Sequence, residues 1–124
     1  MWLVEPMFMC RKHLLGEHLE MHMFLGSLKK KKKLDGFFKN NLFEPRILFQ
    51  RHQDLSEEMI RRGYNHNSPM TEKDCFAISH LPEHYQNWKI EREKALDDLI
   101  GRCEECRKNI NKYLQTETNN SIFR

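Results

Sequence analysis

One amphipathic segment, CRKHLLGEHLEMHMFLGSL at residues 10–28, carries three of the chain's seven histidines and two glutamates. Apolar residues at the helical period predict a helix with one buried face, formed by Leu14, Met21, Leu25 and Leu28. A second stripe runs along the edge of that face and comprises Cys10, His13, Glu17, Glu20 and Phe24. A carboxylate at such an edge is partly desolvated, so its pKa can be tuned for acid–base chemistry. The alternative interpretation is a helix whose charged groups snorkel around a core.

Length and composition predict a single domain, residues 1–124, with a modest core. The net charge of +3 is mild, and no apolar run approaches the roughly 20 residues of a membrane helix. Four cysteines accompany ordinary helical periodicity, and the N-terminal residues lack the pattern of a signal peptide. We therefore expect a reduced, cytoplasmic protein without a membrane partner, rather than a disulfide framework.

Outside the first segment, the sequence predicts two more helices and no strands. Pro45 suits the first position of a helix, and Gly63 suits the residue after its end. A packing seam with spacings of three and four predicts the last helix and comprises Leu96, Leu99, Cys103, Cys106, Ile110 and Tyr113. The predicted elements are an extended lead-in at 1–9, helices at about 10–33, 45–62 and 88–114, connections at 37–43 and 64–80, and a frayed tail at 115–124. The predicted class is all-α, a compact single domain of three main helices.

The cysteine and histidine spacings raise the question of a metal site. Cys103 and Cys106 have the spacing of half a zinc site, and Cys10 with His13 could supply the other half. Both members of the first pair lie on the seam of a predicted helix, where cysteine behaves as a small hydrophobe. We therefore predict no cofactor, and we keep a structural zinc at these four residues as the alternative. His18 and His22 form a histidine pair at i, i+4, and the sequence pattern supplies no third ligand for a metal.

A run of five lysines, Lys29 to Lys33, lies at the predicted C-terminus of the first helix. Cations there complement the helix dipole, so a solvated basic end is one interpretation. The other is a phosphate-contacting patch, which would give salt-dependent and sequence-independent affinity for nucleic acid. The neighbouring Phe37 and Phe38 could stack on bases or could belong to the core.

Three segments together resemble a known family: HLLGEHLEMH at 13–22, LFQRHQDLSEEMIRRGYNHNSP at 48–69 and ISHLPEHYQ at 78–86. They are similar to the pyrimidine-dimer DNA glycosylases, the endonuclease V type of the T-even phages, over about residues 10–107. The resemblance implies a small monomeric all-α enzyme of a phage or prokaryotic cytosol. Such an enzyme acts on damaged double-stranded DNA, where it cuts a glycosidic bond and then nicks the backbone at the abasic site.

The resemblance also implies roles for individual residues. Glu20, seven residues after His13, matches the family's catalytic glutamate. The family's nucleophile is the N-terminal α-amino group, which here belongs to Met1 because the bulky Trp2 should prevent removal of the methionine. A glutamine that approaches the flipped-out base corresponds to His52. Together with the basic positions, the expected DNA-contacting residues are His13, Glu17, His18, His22, Lys29, Lys30, Lys31, Arg46, Arg51, His52, Arg61 and Arg62.

The residue types fit this chemistry. An α-amino group has an unperturbed pKa of about 7.7–8.0, so an appreciable fraction is neutral and nucleophilic at physiological pH. Attack on the sugar C1′ expels the base and forms an iminium, and a nearby carboxylate can stabilise the cationic sugar and assist β-elimination.

Two other classes of protein stay open. One is a non-catalytic nucleic-acid-binding module, and the other is a small zinc-stabilised interaction domain.

Overall fold

The first amphipathic segment forms helix α1 (Arg11–Lys29) in the computed structural model, which describes residues 1–116 and 122–124. Its predicted apolar face is buried, and Phe24 joins that face at 0% exposure. The helix ends earlier than the predicted residue 33. Lys31 adopts a left-handed backbone conformation with φ 55°, and a left-handed residue just past the last turn ends a helix.

The remaining elements are helical as well. Short 3₁₀ helices occur at Pro6–Phe8, Pro45–Ile47 and Asp74–His80, and the α-helices are α2 (Asp35–Lys39), α3 (Leu48–Arg61), α4 (Glu83–Gln86), α5 (Arg92–Arg102) and α6 (Glu104–Thr116). No strand occurs among the described residues, which confirms the predicted all-α class. The connections predicted at 37–43 and 64–80 are partly helical because apolar side chains within them, such as Phe38, pack into the core.

The predicted last helix is two helices rather than one. Cys103 has extended backbone angles (φ −130°, ψ 106°) and separates α5 from α6. The prediction of three main helices is therefore only approximate. The prediction that Cys103 lies inside a helix is wrong. The seam itself is buried on both sides of the break, at Leu99, Cys106 and Ile110. Periodicity alone did not reveal the break because the spacing of apolar residues continues across it.

The core lies between α1 and α3 and extends under the short helices. Phe24 stacks on Phe43 with ring centroids 4.0 Å apart, and Phe38 stacks on Tyr85 at 4.2 Å. Phe38 is 1% exposed. Of the two interpretations of this aromatic side chain, the structure supports the core.

The two ends of the described chain pair with each other. Val4 and Phe123 form an isolated antiparallel bridge, and the N–H of Glu5 donates to the carbonyl of Ile122 at 2.7 Å. The tail was predicted to be frayed at 115–124, but residues 122–124 are hydrogen-bonded to the lead-in. Residues 117–121 lie outside the described residues. Within the described part, no helix has the length and apolar character needed to span a membrane.

Candidate active site

The N-terminal α-amino group lies against the edge of α1. The nitrogen of Met1 donates to Oε1 of Glu20 at 2.6 Å and to the carbonyl oxygen of Leu42 at 3.0 Å. Met1 is 3% exposed, whereas the side chain of Glu20 is 29% exposed. The structure therefore brings together the two residues predicted to be catalytic, although they are separated by 19 positions in the chain.

A buried ion pair positions the residues that follow Met1. The guanidinium of Arg51 donates to both carboxylate oxygens of Glu17 and, at 2.8 Å, to the carbonyl of Val4. The same carboxylate accepts the backbone N–H of Trp2 at 2.7 Å. Arg51 and Glu17 are 1% and 3% exposed. Both residues were predicted to contact DNA, but their buried polar groups are occupied in holding the lead-in against α1 and α3.

The two glutamates of α1 have opposite electrostatic environments. Burial raises the pKa of Glu20, and the neighbouring α-amino group offsets this only in part. Burial also acts to raise the pKa of Glu17, but the charge and hydrogen bonds of Arg51 outweigh it and hold that pKa below its usual value. Divergent pKa values in neighbouring carboxylates mark a candidate site for acid–base chemistry.

A cavity of about 320 Å³ opens beside the N-terminus. Its walls come from the lead-in, from the turn after α2 and from α5, and they are formed by Met1, Trp2, Asn40, Asn41, Leu42, Lys94, Ala95 and Asp98. The α5 residues of this set were not predicted from the sequence. No motif marks them, since they reach the site only because α5 packs beside the N-terminus.

Four histidines from three parts of the chain cluster on the other side of α1. The Nε2 atoms of His18 and His66 are 2.9 Å apart, and those of His22 and His52 are 3.1 Å apart. The ligand atoms of three of these residues lie within 4.8 Å of one another and could hold a metal ion: His18, His22 and His52. The sequence pattern indicates only the pair at i, i+4, because His52 on α3 and His66 join it through tertiary packing.

Acid is expected to destabilise the protein through this cluster. Burial and then the neighbouring His52 lower the pKa of His18 to about 4. Between pH 6.5, the unfolded value, and about 4, the unfolded chain binds more protons at this residue than the folded chain does. Stability is therefore present above pH 6.5 and is lost as the pH falls towards 4, by on the order of 2 kcal/mol.

Urea unfolding at pH 7 and pH 5, with EDTA present, measures this loss. His18→Gln should flatten the pH dependence, and the exposed His80→Gln should leave it as in the wild type. Equal pH dependence in all three proteins would show that the buried histidine is not responsible.

A second cluster joins the N-terminus of α1 to the junction of α5 and α6. It consists of Cys10, His13, Cys103 and Cys106, whose ligand atoms lie within 4.8 Å of one another. Cys10 Sγ is 3.1 Å from Nδ1 of His13 and 3.8 Å from Sγ of Cys103. All four cysteines of the chain are described, and each is a free thiol. His13 was predicted to contact DNA, but its ring nitrogen lies in this cluster.

The predicted DNA-contacting residues differ in their access to solvent. Five are exposed: Lys29, Lys30, Lys31, Arg46 and Arg61. Three are half-buried: His13, His22 and Arg62. Four are buried: Glu17, His18, Arg51 and His52. Arg62 also donates to the carbonyl of Met9 at 2.7 Å and to Glu58 at 2.7 Å, so its guanidinium anchors the lead-in.

The described residues form an all-α domain that holds its N-terminal amine against a carboxylate of α1. The family model described as pyrimidine dimer DNA glycosylase matches residues 1–72, more than half of the chain. The chain belongs to the pyrimidine dimer DNA glycosylase family. No curated protein and no solved structure matches it. The matched region includes α1, α2 and α3, whereas α5 and α6 lie outside it.

Proposed function

We propose that the protein is a DNA N-glycosylase with abasic-site β-lyase activity, acting on damaged duplex DNA. The observation that carries the proposal is the contact of 2.6 Å between the Met1 α-amino nitrogen and Glu20. An amine and a carboxylate with a raised pKa, placed beside an open cavity, supply a nucleophile and a proton acceptor in one site. A DNA substrate, a monomeric state and a cytoplasmic location accompany this proposal.

The proposed reaction uses the two groups in sequence. The neutral amine of Met1 forms a bond to C1′, the glycosidic bond breaks, and the base leaves with the bonding electron pair and takes up a proton. Glu20 accepts the proton that the attacking nitrogen loses and passes it to O4′ as the C1′–O4′ bond breaks. This step gives an iminium and restores the carboxylate. Removal of a C2′ proton then expels the 3′ phosphate by β-elimination, with the carboxylate assisting the transfer.

Borohydride trapping tests the amine mechanism directly, because hydride reduces an iminium to a permanent protein–DNA bond. Three duplexes are compared: one with an abasic site, one with a pyrimidine dimer and one undamaged. We expect trapping on the first two, with the DNA attached to Met1 in peptide mapping. Trapping on the abasic duplex alone would retain the lyase and exclude the dimer as substrate. An attachment at a lysine would exclude the N-terminal amine.

The non-catalytic binding module remains the second candidate because the lysine run is exposed. Binding of all three duplexes without trapping on any would favour it over the enzyme.

Lys30 and Lys31 are expected to contribute phosphate contacts in either case. They are exposed and follow the C-terminus of α1, whereas Lys29 is paired with Asp74 at 3.0 Å. The double variant Lys30→Gln and Lys31→Gln should bind all duplexes more weakly, with a salt slope shallower by about 0.9 for each lost phosphate contact. Lys108→Gln on α6 is the matched control and should retain the wild-type slope. An unchanged slope in the double variant would place the DNA elsewhere.

A further inference from the structure

We propose that Cys10, His13, Cys103 and Cys106 bind one structural zinc ion, which fastens the start of α1 to the junction of α5 and α6. Three thiols and one imidazole are a ligand set that selects zinc in a closed tetrahedral site. The four ligand atoms already lie within 4.8 Å of one another. Nothing in the proposed glycosylase reaction requires this site, so the inference goes beyond that function.

The spacing of the ligand atoms fits a tetrahedron around one ion. With Zn–S and Zn–N bonds of about 2.3 and 2.0–2.1 Å, tetrahedral edges are about 3.8 Å between two sulfurs and about 3.6 Å between sulfur and nitrogen. The two sulfurs of Cys10 and Cys103 are 3.8 Å apart, and Cys10 Sγ is 3.1 Å from Nδ1 of His13. The first distance equals the tetrahedral edge, and the second needs a small opening. The two sulfurs are not joined by a disulfide, whose sulfurs would be about 2.05 Å apart.

The two halves of the cluster have the same local geometry. Each begins at a residue that precedes a helix, Cys10 before α1 and Cys103 before α6. In each half the backbone N–H three residues later donates to the first sulfur at 3.4 Å, from His13 in one and from Cys106 in the other. The objection to zinc drawn from the sequence was that Cys103 and Cys106 both lay on the packing seam of a helix. The helix break removes it for Cys103, whereas Cys106 lies in the first turn of α6.

Further backbone contacts orient the sulfurs. The N–H of Cys10 donates to Sγ of Cys106 at 3.2 Å, which links the two halves directly. Such hydrogen bonds to ligand atoms stabilise the negative charge that sulfur carries when it binds a metal. The fourth cysteine, Cys75, is half-buried and belongs to neither of the metal-ligand clusters found in the described residues. Burial as small hydrophobes does not by itself bring three cysteines and a histidine to one point.

The position of the cluster gives the ion a role in the architecture. Cys10 and His13 lie within the residues matched by the family model, whereas Cys103 and Cys106 lie outside them. The ring of His13 also contacts the indole of Trp2, with ring centroids 5.9 Å apart. The ion would therefore hold α5 and α6 against the part of the chain that carries the N-terminal amine.

Metal analysis of the purified full chain, grown with zinc, tests the stoichiometry. We expect about one zinc per chain in the wild type and in Cys75→Ser, the matched control, and loss of most of the zinc in Cys103→Ser. Chelation should lower the melting temperature of the first two proteins and leave that of Cys103→Ser unchanged. Retention of zinc by Cys103→Ser, or its absence from the wild type, would overturn the proposal.

Cobalt substitution of the wild type identifies the ligands without any variant. Co²⁺ bound at this site should show tetrahedral visible bands and a thiolate-to-cobalt charge-transfer absorption. A cobalt spectrum without the thiolate band would overturn the proposal and assign the metal to the histidine cluster of His18, His22 and His52. The borohydride experiment does not depend on zinc. The glycosylase proposal and the zinc proposal can therefore fail independently, and the two failures can be told apart.

Discussion

Glu20→Gln is expected to lower the rate of strand cleavage at an abasic site by roughly 10²- to 10⁴-fold, the usual contribution of a positioned general acid or base. Glutamine has nearly the same shape and can still accept a hydrogen bond from the Met1 nitrogen, but it cannot take a proton. The carbonyl of Leu42 also continues to hold the amine. Duplex affinity should therefore change little while cleavage and borohydride trapping fall.

The pH dependence provides a second readout of Glu20. The acid side of the rate profile should contain two ionisations, because the Met1 amine must be neutral to attack and Glu20, whose pKa is raised by burial, must be ionised to accept a proton. Glu20→Gln should remove the second ionisation and leave the first. Glu72→Gln, at an exposed position, is the control and should retain wild-type cleavage. Full cleavage by Glu20→Gln would show that the contact with the amine is structural only, and the binding module would then be favoured.

Arg51→Ala is expected to destabilise the fold by about 3–5 kcal/mol, the cost of leaving a buried charge unpaired. The substitution strands the carboxylate of Glu17, whose side chain is fully buried, and removes the donor to the Val4 carbonyl. The carboxylate would keep only the backbone N–H of Trp2 as a donor, and the Val4 carbonyl would lose the guanidinium. Urea unfolding at pH 7 measures the change in the free energy of unfolding.

Two further variants separate the ion pair from other effects of the substitution. Arg61→Ala, on the same helix, removes an arginine that is 63% exposed and should leave the free energy of unfolding nearly unchanged. The double variant Glu17→Gln and Arg51→Met should regain part of the stability, because no buried charge is left unpaired. If Arg51→Ala had the same urea midpoint as the wild type, the ion pair of Arg51 and Glu17 would not be what anchors the lead-in.

Much of the helical structure is local and was therefore predictable. The 3.6-residue period identified the buried face of α1, and on α3 the buried residues Leu48, His52, Leu55 and Met59 follow the same period. The ends of the helices were less predictable, because a positive φ at Lys31 and an extended Cys103 depend on how neighbouring segments pack. The helix α2 was not predicted because five residues are too few to show a helical period.

The sequence by itself determined the all-α class, the stripe of α1 that carries Glu20 and the family resemblance, because all three depend on residue types at short spacings. Only the tertiary structure decided which residues share a site. Met1 meets Glu20, Cys10 meets Cys103 and His18 meets His66 across separations of 19, 93 and 48 residues. It also showed that Arg51 is buried, because exposure depends on the elements packed around a residue and not on its charge.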